Sequence, residues 1–581
     1  MARILVTRGA RGMEFPWRWT SGTISTNLDV IWGMSAITPL RGICEMADLI
    51  RNRAQDWLKH RHGSIPYHSV LIAVYVCLSL YAANQDELFF DSVLAAIVIA
   101  ITTAAIIVLL FWVAIGNGRA AGVVSTLIIV CLAYYGHVFD AIDDLMGGSA
   151  QDKIFMPIWV GLFLVPVVVS FIFRSRLENV TRLLNFSALV LVLVPLGSLI
   201  WKAAGENRSA IVGAAPNIFD QMPLSSSAPN ATEYPDIYYL IFDRYADSRT
   251  LNDIYKYDNN EVLEHLGGLG FYIADRSRAN YTKTAHSLVS SLNLRHLTYL
   301  SELIGPGSSD WKPLYALLQD HEVGRFLKAH GYRYVHLGSW WGPTRSNVLA
   351  DENFDATTTF LWMDVSLNEF EWLLVEPMLP TRFMSLAFNL KYDTPRQQFV
   401  RVQEKFKKLV SLQRQAEPLF VFSHMLLPHE PFVFFPDGRY KPGVEAASLT
   451  RHKNYIDQLE YTNRKIKELV RELLKKEPQP IIVIQSDEGP FPIRYSANNN
   501  NLDWREASME ELRQKFGILN AIYFPDRGYN DLYEDLTPIN TFRIIFNRYF
   551  GQNLPLLPDT SYSHYSRDDL YSFFDVTEVT K

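Results

Sequence analysis

Between residues 65 and 201 the chain carries five runs with no Lys, Arg, Asp or Glu, at roughly 65–83, 92–115, 120–138, 154–173 and 183–201. A bilayer core about 30 Å thick needs about 20 apolar residues per helix, and each run is that long. Five such runs so close together exclude an ordinary soluble domain and predict a five-span membrane unit. The charges between them set its direction. Arg51, Arg53, Lys59 and Arg61 precede the first run, Arg119 separates the second and third, and Arg174, Arg176 and Arg182 separate the fourth and fifth. The alternate loops are acidic, with Asp86, Glu87 and Asp91 in one and Asp140, Asp143 and Asp144 in the other. Positive loops stay cytoplasmic. The expectation is a cytoplasmic amino terminus and an outer side for everything after about residue 203.

This divides the chain into a cytoplasmic segment (1–64), the transmembrane unit (65–203), a linker rich in Pro, Ser, Ala and Asn (204–234) and an extracytoplasmic domain (235–581). No apolar stretch in residues 1–50 matches a cleavable signal peptide. Cys44, Cys77 and Cys131 all precede the outer domain, so that domain has no disulfide framework, which suits a bacterial periplasm. The net charge of −6 comes without a basic stripe and argues against nucleic acid as a partner.

In the outer domain short apolar runs alternate with helical patterns. Strands are expected at 236–242, 332–337, 418–424, 480–486 and 519–524, and helices near 260–269, 284–299, 322–330, 398–415 and 452–475. That alternation predicts an α/β domain, with a mostly parallel sheet covered by helices on both faces.

Four places in it invite a chemical reading. Asp243 ends the first strand. NYTKTAHSLVSSLNL is dense in hydroxyls, including Thr282 and Thr284, and leads into a helix. SHMLLPHEPF places His424 and His429 at a strand end. PIIVIQSDEGP puts Asp487 and Glu488 straight after an apolar strand. Parallel sheets bind ligands at the carboxyl edge of their strands. Paired carboxylates there repel each other, and a bound cation resolves the conflict. A cation also lowers the pKa of a threonine hydroxyl and delivers it as a nucleophile. Each place also has a plainer reading: Asp243 as a helix cap, the hydroxyls as caps and turn residues, the histidines as satisfied strand-end residues.

These residues resemble the sulfatase-like branch of the alkaline phosphatase superfamily, which includes lipoteichoic acid synthases and phosphoethanolamine transferases. The resemblance spans about 235–550 and extends to the layout of five membrane helices followed by a catalytic domain. It implies an alkaline phosphatase-like fold. It casts Asp243, Thr284, Asp487 and Glu488 as metal ligands, with Thr284 also the nucleophile and Thr282 its rival. It makes His424 and His429 substrate binders that assist the leaving group.

One departure matters. The family pattern is Asp-His-Gly, and here it is Asp487-Glu488-Gly489. An all-oxygen ligand set favours Mn²⁺ or another hard cation such as Mg²⁺ or Ca²⁺ over Zn²⁺. A sulfatase reaction is disfavoured, because threonine would oxidise to a ketone rather than to the formylglycine aldehyde. A further cluster, GSWWGPTRSN, offers Trp340 and Trp341 for a sugar or lipid headgroup and Arg345 for phosphate. The expected activity is transfer of a phosphoryl-linked headgroup from a phospholipid donor to an envelope glycan or lipid, at a bacterial inner membrane. The alternatives are a hydrolase with the same site and a non-catalytic envelope binding or assembly protein.

Overall fold

The computed structural model describes residues 65–147, 150–205, 234–354, 359–360, 363–364, 367, 369–388, 394–497 and 502–581. The chain divides into Met1–Gly63 and Ser64–Lys581, and everything described belongs to the second unit. The expected cytoplasmic segment and most of the linker lie outside the described residues.

Five apolar helices come first: α1 (His68–Ala83), α2 (Asp91–Ile115), α3 (Gly118–Leu145), α4 (Asp152–Ile172) and α5 (Glu178–Gly205). The last four are long and apolar enough to cross a membrane. The first has 16 residues, about 24 Å at 1.5 Å per residue, short of a hydrocarbon core of about 30 Å. Its start is bounded by Pro66, whose ring sits where a Cβ on Gly122 would lie 2.4 Å away. It packs on α2, α3 and α5. Ser69 donates to the Gly122 carbonyl at 2.9 Å, tying α1 to α3.

The α/β part is built on a seven-stranded sheet. Its strands are β1 (Ile237–Phe242), β2 (Tyr272–Ile273), β3 (Arg333–Leu337), β4 (Glu352–Phe354), β7 (Leu419–Met425), β8 (Ile481–Gln485) and β9 (Asn520–Tyr523), in the order β2-β9-β8-β1-β7-β3-β4. Two small hairpins stand apart, β5 (Thr359–Phe360) with β6 (Met363–Asp364) and β10 (Tyr562–Ser566) with β11 (Asp569–Asp575). The five expected strands are all present and four of them run parallel, while β9 returns antiparallel along β8.

Six helices of this part enter the argument: α6 (Thr284–Leu292), α7 (Glu369–Val375), α8 (Leu379–Phe388), α9 (Thr394–Ser411), α10 (Arg451–Leu473) and α11 (Pro538–Phe550). Strand β1 is buried on both faces. Ile237, Tyr239 and Ile241 meet Leu288 of α6 and Phe542 of α11. Tyr238, Leu240 and Phe242 meet Phe406 of α9 and Leu459 of α10. The period-two alternation of a strand thus feeds two separate cores, as a helix-covered sheet requires.

The α/β part also grips the apolar helices. Phe370 of α7 is fully buried among Cys77, Tyr81, Val93 and Ala96. The Gly136 amide donates to the Pro377 carbonyl at 2.8 Å, and a Cβ on Gly136 would stand 2.5 Å from that oxygen. Only glycine permits this approach. Arg382 of α8 pairs with Asp140 at 3.2 Å. The loop after α1 is held as well: the Trp311 amide donates to the Asp86 carbonyl at 3.0 Å, and Arg567 pairs with Glu87 at 2.5 Å.

Candidate active site

Three side chains converge because their strands are neighbours. β1 lies between β7 and β8, all parallel, so Asp243 just past β1, His424 near the end of β7 and Asp487 just past β8 share one sheet edge. One ligand atom from each lies within 4.8 Å of the other two, and all three residues are buried. His424 Nε2 is 3.3 Å from Asp243 Oδ2. On the other side of the ring, Nδ1 is 2.9 Å from the Thr344 hydroxyl, which can accept from it and direct the Nε2 lone pair at the carboxylates.

The cluster lacks positive charge of its own. Asp243 Oδ1 and both Asp487 oxygens are buried without a well-formed hydrogen bond. Burial, then the neighbouring carboxylate of Glu488, pushes Asp243 up to about 7. Burial, then Asp243, raises Asp487 well above the usual carboxylate range. Burial holds His424 down near 4, so its imidazole is neutral. Two unsatisfied buried carboxylates and a neutral imidazole fit a divalent cation.

Thr284 is the first residue of α6, after the extended Lys283. Its hydroxyl lies beside Asp487, close enough to offset part of that carboxyl's upward shift. Thr284 and Ala285 of the first turn of α6 line the same pocket, and a helix amino terminus favours an anion. Thr282, the rival nucleophile, is fully buried and bonded to His564 Nδ1 at 2.7 Å, away from the cluster.

The pocket above these residues has a volume of about 340 Å³ and is lined by Thr284, His424, His429, Trp340 and Trp341, among others. His429 Nδ1 faces the Glu430 carbonyl, which only accepts, so Nε2 carries the free lone pair. Trp341 packs edge-on against the His424 ring at 6.2 Å. Arg345, expected in this pocket, is not there. Its guanidinium donates to the Leu367 carbonyl at 3.0 Å and lines an adjoining cavity instead.

A family model described as Sulfatase matches residues 282–572, half of the chain. The chain belongs to the sulfatase family. Similar solved structures include the C-terminal periplasmic domain of EcEptC from Escherichia coli, at 12% identity and TM-score 0.37, covering 61% of this chain and 96% of that one. Another is the integral membrane lipooligosaccharide phosphoethanolamine transferase A of Neisseria meningitidis, at 13% identity and TM-score 0.32, covering 84% of this chain and 94% of that one. A third is the C-terminal periplasmic domain of phosphoethanolamine transferase EptC from Campylobacter jejuni, at 14% identity and TM-score 0.33, covering 57% and 94%. No curated protein sequence matches the chain.

This sulfatase-family site departs from the ligand set read from the sequence. Glu488, expected on the metal, pairs instead with Lys515 at 2.7 Å, both side chains being buried, and with Arg244 Nε at 3.4 Å. His424, expected on the substrate, joins Asp243 and Asp487. The group that meets is therefore two carboxylates and an imidazole, a set that zinc accepts as readily as manganese.

Gly489 explains why Lys515 is within reach. A Cβ there would lie 2.2 Å from the Gln514 carbonyl, so the chain leaving β8 presses against the backbone before Lys515. The Gly489 amide donates to the Lys515 carbonyl at 2.8 Å, and Lys515 Nζ donates back to the Gly489 carbonyl at 2.9 Å.

Three cations missing from the sequence reading surround the Phe491 ring: Lys515 at 3.2 Å, Arg244 at 4.4 Å and Lys283 at 4.5 Å from its centroid. Burial lowers Lys283 to about 7 and Lys515 to about 8. Lys283 was legible as the neighbour of Thr284, and Arg244 as the neighbour of Asp243. Lys515 had no local signal. Removing it in Lys515→Met leaves the buried Glu488 carboxylate with the longer Arg244 contact at 3.4 Å and is expected to cost about 3–5 kcal/mol. Adding Glu488→Gln is expected to recover most of that loss in thermal unfolding of the detergent-solubilised protein.

Proposed function

We propose that the protein is a membrane-anchored, metal-dependent phosphotransferase. It moves a phosphoryl-linked headgroup from a phospholipid to an envelope glycan or lipid through a Thr284-linked intermediate. The observation that carries this reading is the position of Thr284: on a helix amino terminus, beside Asp487, and open to a pocket with cationic walls.

Asp243, His424 and Asp487 would hold the metal beside the Thr284 hydroxyl. When bound, the metal supplies charge neutralisation that makes the hydroxyl a competent nucleophile at neutral pH. Thr284 Oγ then forms a bond to phosphorus as the ester bond to the lipid glycerol breaks. The proton lost by Thr284 is balanced by the one the leaving glycerol oxygen gains. Lys283 and Arg244 line the pocket and suit the non-bridging phosphoryl oxygens. In the second step His429 Nε2, a neutral acceptor, takes the proton of the incoming acceptor hydroxyl as that oxygen bonds to phosphorus and the Thr284 Oγ–P bond breaks, and the proton then returns to Thr284 Oγ. Trp340 and Trp341 suit a sugar or headgroup surface.

In this reading α1 is the first of five crossings of a bacterial inner membrane. The basic loops lie in the cytoplasm and the α/β domain in the periplasm. A threonine nucleophile argues against formylglycine sulfatase chemistry within the family.

The test is cleavage of bis-p-nitrophenyl phosphate by the full-length protein in detergent after chelation and reloading with Mn²⁺ or Zn²⁺. Turnover restored by either ion supports the reading, and its absence with every divalent ion turns it toward a binding scaffold. With a lipid donor, product on an added acceptor rather than on water separates transferase from hydrolase.

A further inference from the structure

Beneath α7 lies an apolar cavity of about 370 Å³ walled by α1, α2 and α3. Its lining on α2 runs from Ala96 to Ile107, eleven helical rises and so about 16 Å along the axis. That is half of a hydrocarbon core of about 30 Å, the depth of one leaflet. Alanines such as Ala73, Ala96, Ala104 and Ala133 form much of its wall, so the space between the helices is left unfilled by side chains. Ile99, 62% exposed, stands at its open side, where a chain can enter from the bilayer.

The roof is not a membrane helix. Leu367, Glu371, Leu374 and Met378, from the α/β part, close the cavity at the end that the proposed topology places outermost. Beside this roof is a second cavity of about 590 Å³ lined by Phe370, Arg345, Glu87 and Tyr315. Glu87 and Tyr315 also line the pocket over Thr284. Arg345 bonds to the carbonyl of Leu367, a roof residue of the apolar cavity. The cavities on the Thr284 side of the roof are thus lined by polar groups, and the one within the helices is apolar but for Thr103.

We propose that the cavity under α7 holds one acyl chain of the phospholipid donor, with the headgroup reaching Thr284 along the adjoining cavity. This rests on the phosphotransferase reading and adds the feature of the donor that is recognised: a chain one leaflet long, seated between α1, α2 and α3. A soluble phosphodiester leaves the cavity unused. The donor therefore loses affinity when the cavity is filled, and a soluble diester does not.

The test uses full-length Thr284→Ala protein in liposomes containing phosphatidylethanolamine or phosphatidylglycerol with a diazirine in one acyl chain. Because turnover is already removed, the readout does not depend on the reaction. Crosslinks concentrated on 96–107 and 369–378, and diminished by Ala100→Phe, are the expected result. Thr103→Phe, at an exposed position on the same lining, serves if Ala100→Phe does not fold. Val98→Phe, on the outer face of α2 and 61% exposed, leaves the pattern unchanged. In the active protein Ala100→Phe raises KM for a long-chain donor about tenfold or more and leaves bis-p-nitrophenyl phosphate turnover intact. Crosslinks spread evenly over outward residues such as Val98 and Leu110 overturn the acyl site even if turnover is normal. Concentrated crosslinks in a protein that turns over neither substrate retain the site and reject the phosphotransferase reading.

Discussion

Thr284→Ala is expected to lower metal-dependent phosphodiester turnover by at least about a thousandfold while leaving the thermal unfolding curve nearly unchanged. The hydroxyl sits at the first position of α6, and the helix is held by Ala285, Leu288, Val289 and Leu292 in the core. The structural cost of losing one partly buried hydroxyl is therefore small. The chemical cost is the whole covalent route. A wild-type sample quenched during turnover should carry a phosphoryl-linked adduct on the peptide containing Thr284, detected by mass spectrometry. An adduct on Thr282, or a variant that turns over at the wild-type rate, removes Thr284 from its assigned role.

Asp487→Asn is expected to reverse the order of stabilities with and without metal. In the metal-free protein the Asp487 oxygens are buried without a well-formed hydrogen bond and repelled by Asp243 and Glu488. An amide removes that repulsion, and the variant should be more stable than wild type by about 1–3 kcal/mol. With metal in excess the wild type gains stability by mass action, and the variant, short of a ligand, gains little. Thermal unfolding with chelator and then with excess Mn²⁺ or Zn²⁺ reads both halves. A variant less stable than wild type in chelator would show that Asp487 is structural rather than held for a cation.

Much of the sheet was legible because burial on both faces writes continuous apolar runs such as IIVIQ and LFVFSHM. The edge strands β2 and β4 were not, since two or three residues carry no period. Asp243, Thr284 and Asp487 were legible because each ends or begins an element. The order of strands was not: sequence placed His424 at a strand end without showing that β7 lies directly beside β1. The partnership of Glu488 with Lys515 was hidden for a similar reason, being made by a backbone approach at Gly489 rather than by any local pattern. Arg345 shows the converse. A basic residue beside two tryptophans reads as a phosphate ligand, yet its backbone turn aims it at the Leu367 carbonyl.

The grip of α7 and α8 on the apolar helices has a geometrical consequence. Contacts at Gly136, Asp140 and Asp86 anchor the α/β part at points well separated along the chain from α5. In the phosphotransferase reading proposed above, Thr284 is then not swung on a tether but mounted at one height above the bilayer surface. In that reading acceptors would be sorted by reach as well as by chemistry. A hydroxyl carried on a molecule seated in the same leaflet arrives at that height on every encounter, whereas one on a distant polymer must bend down to it.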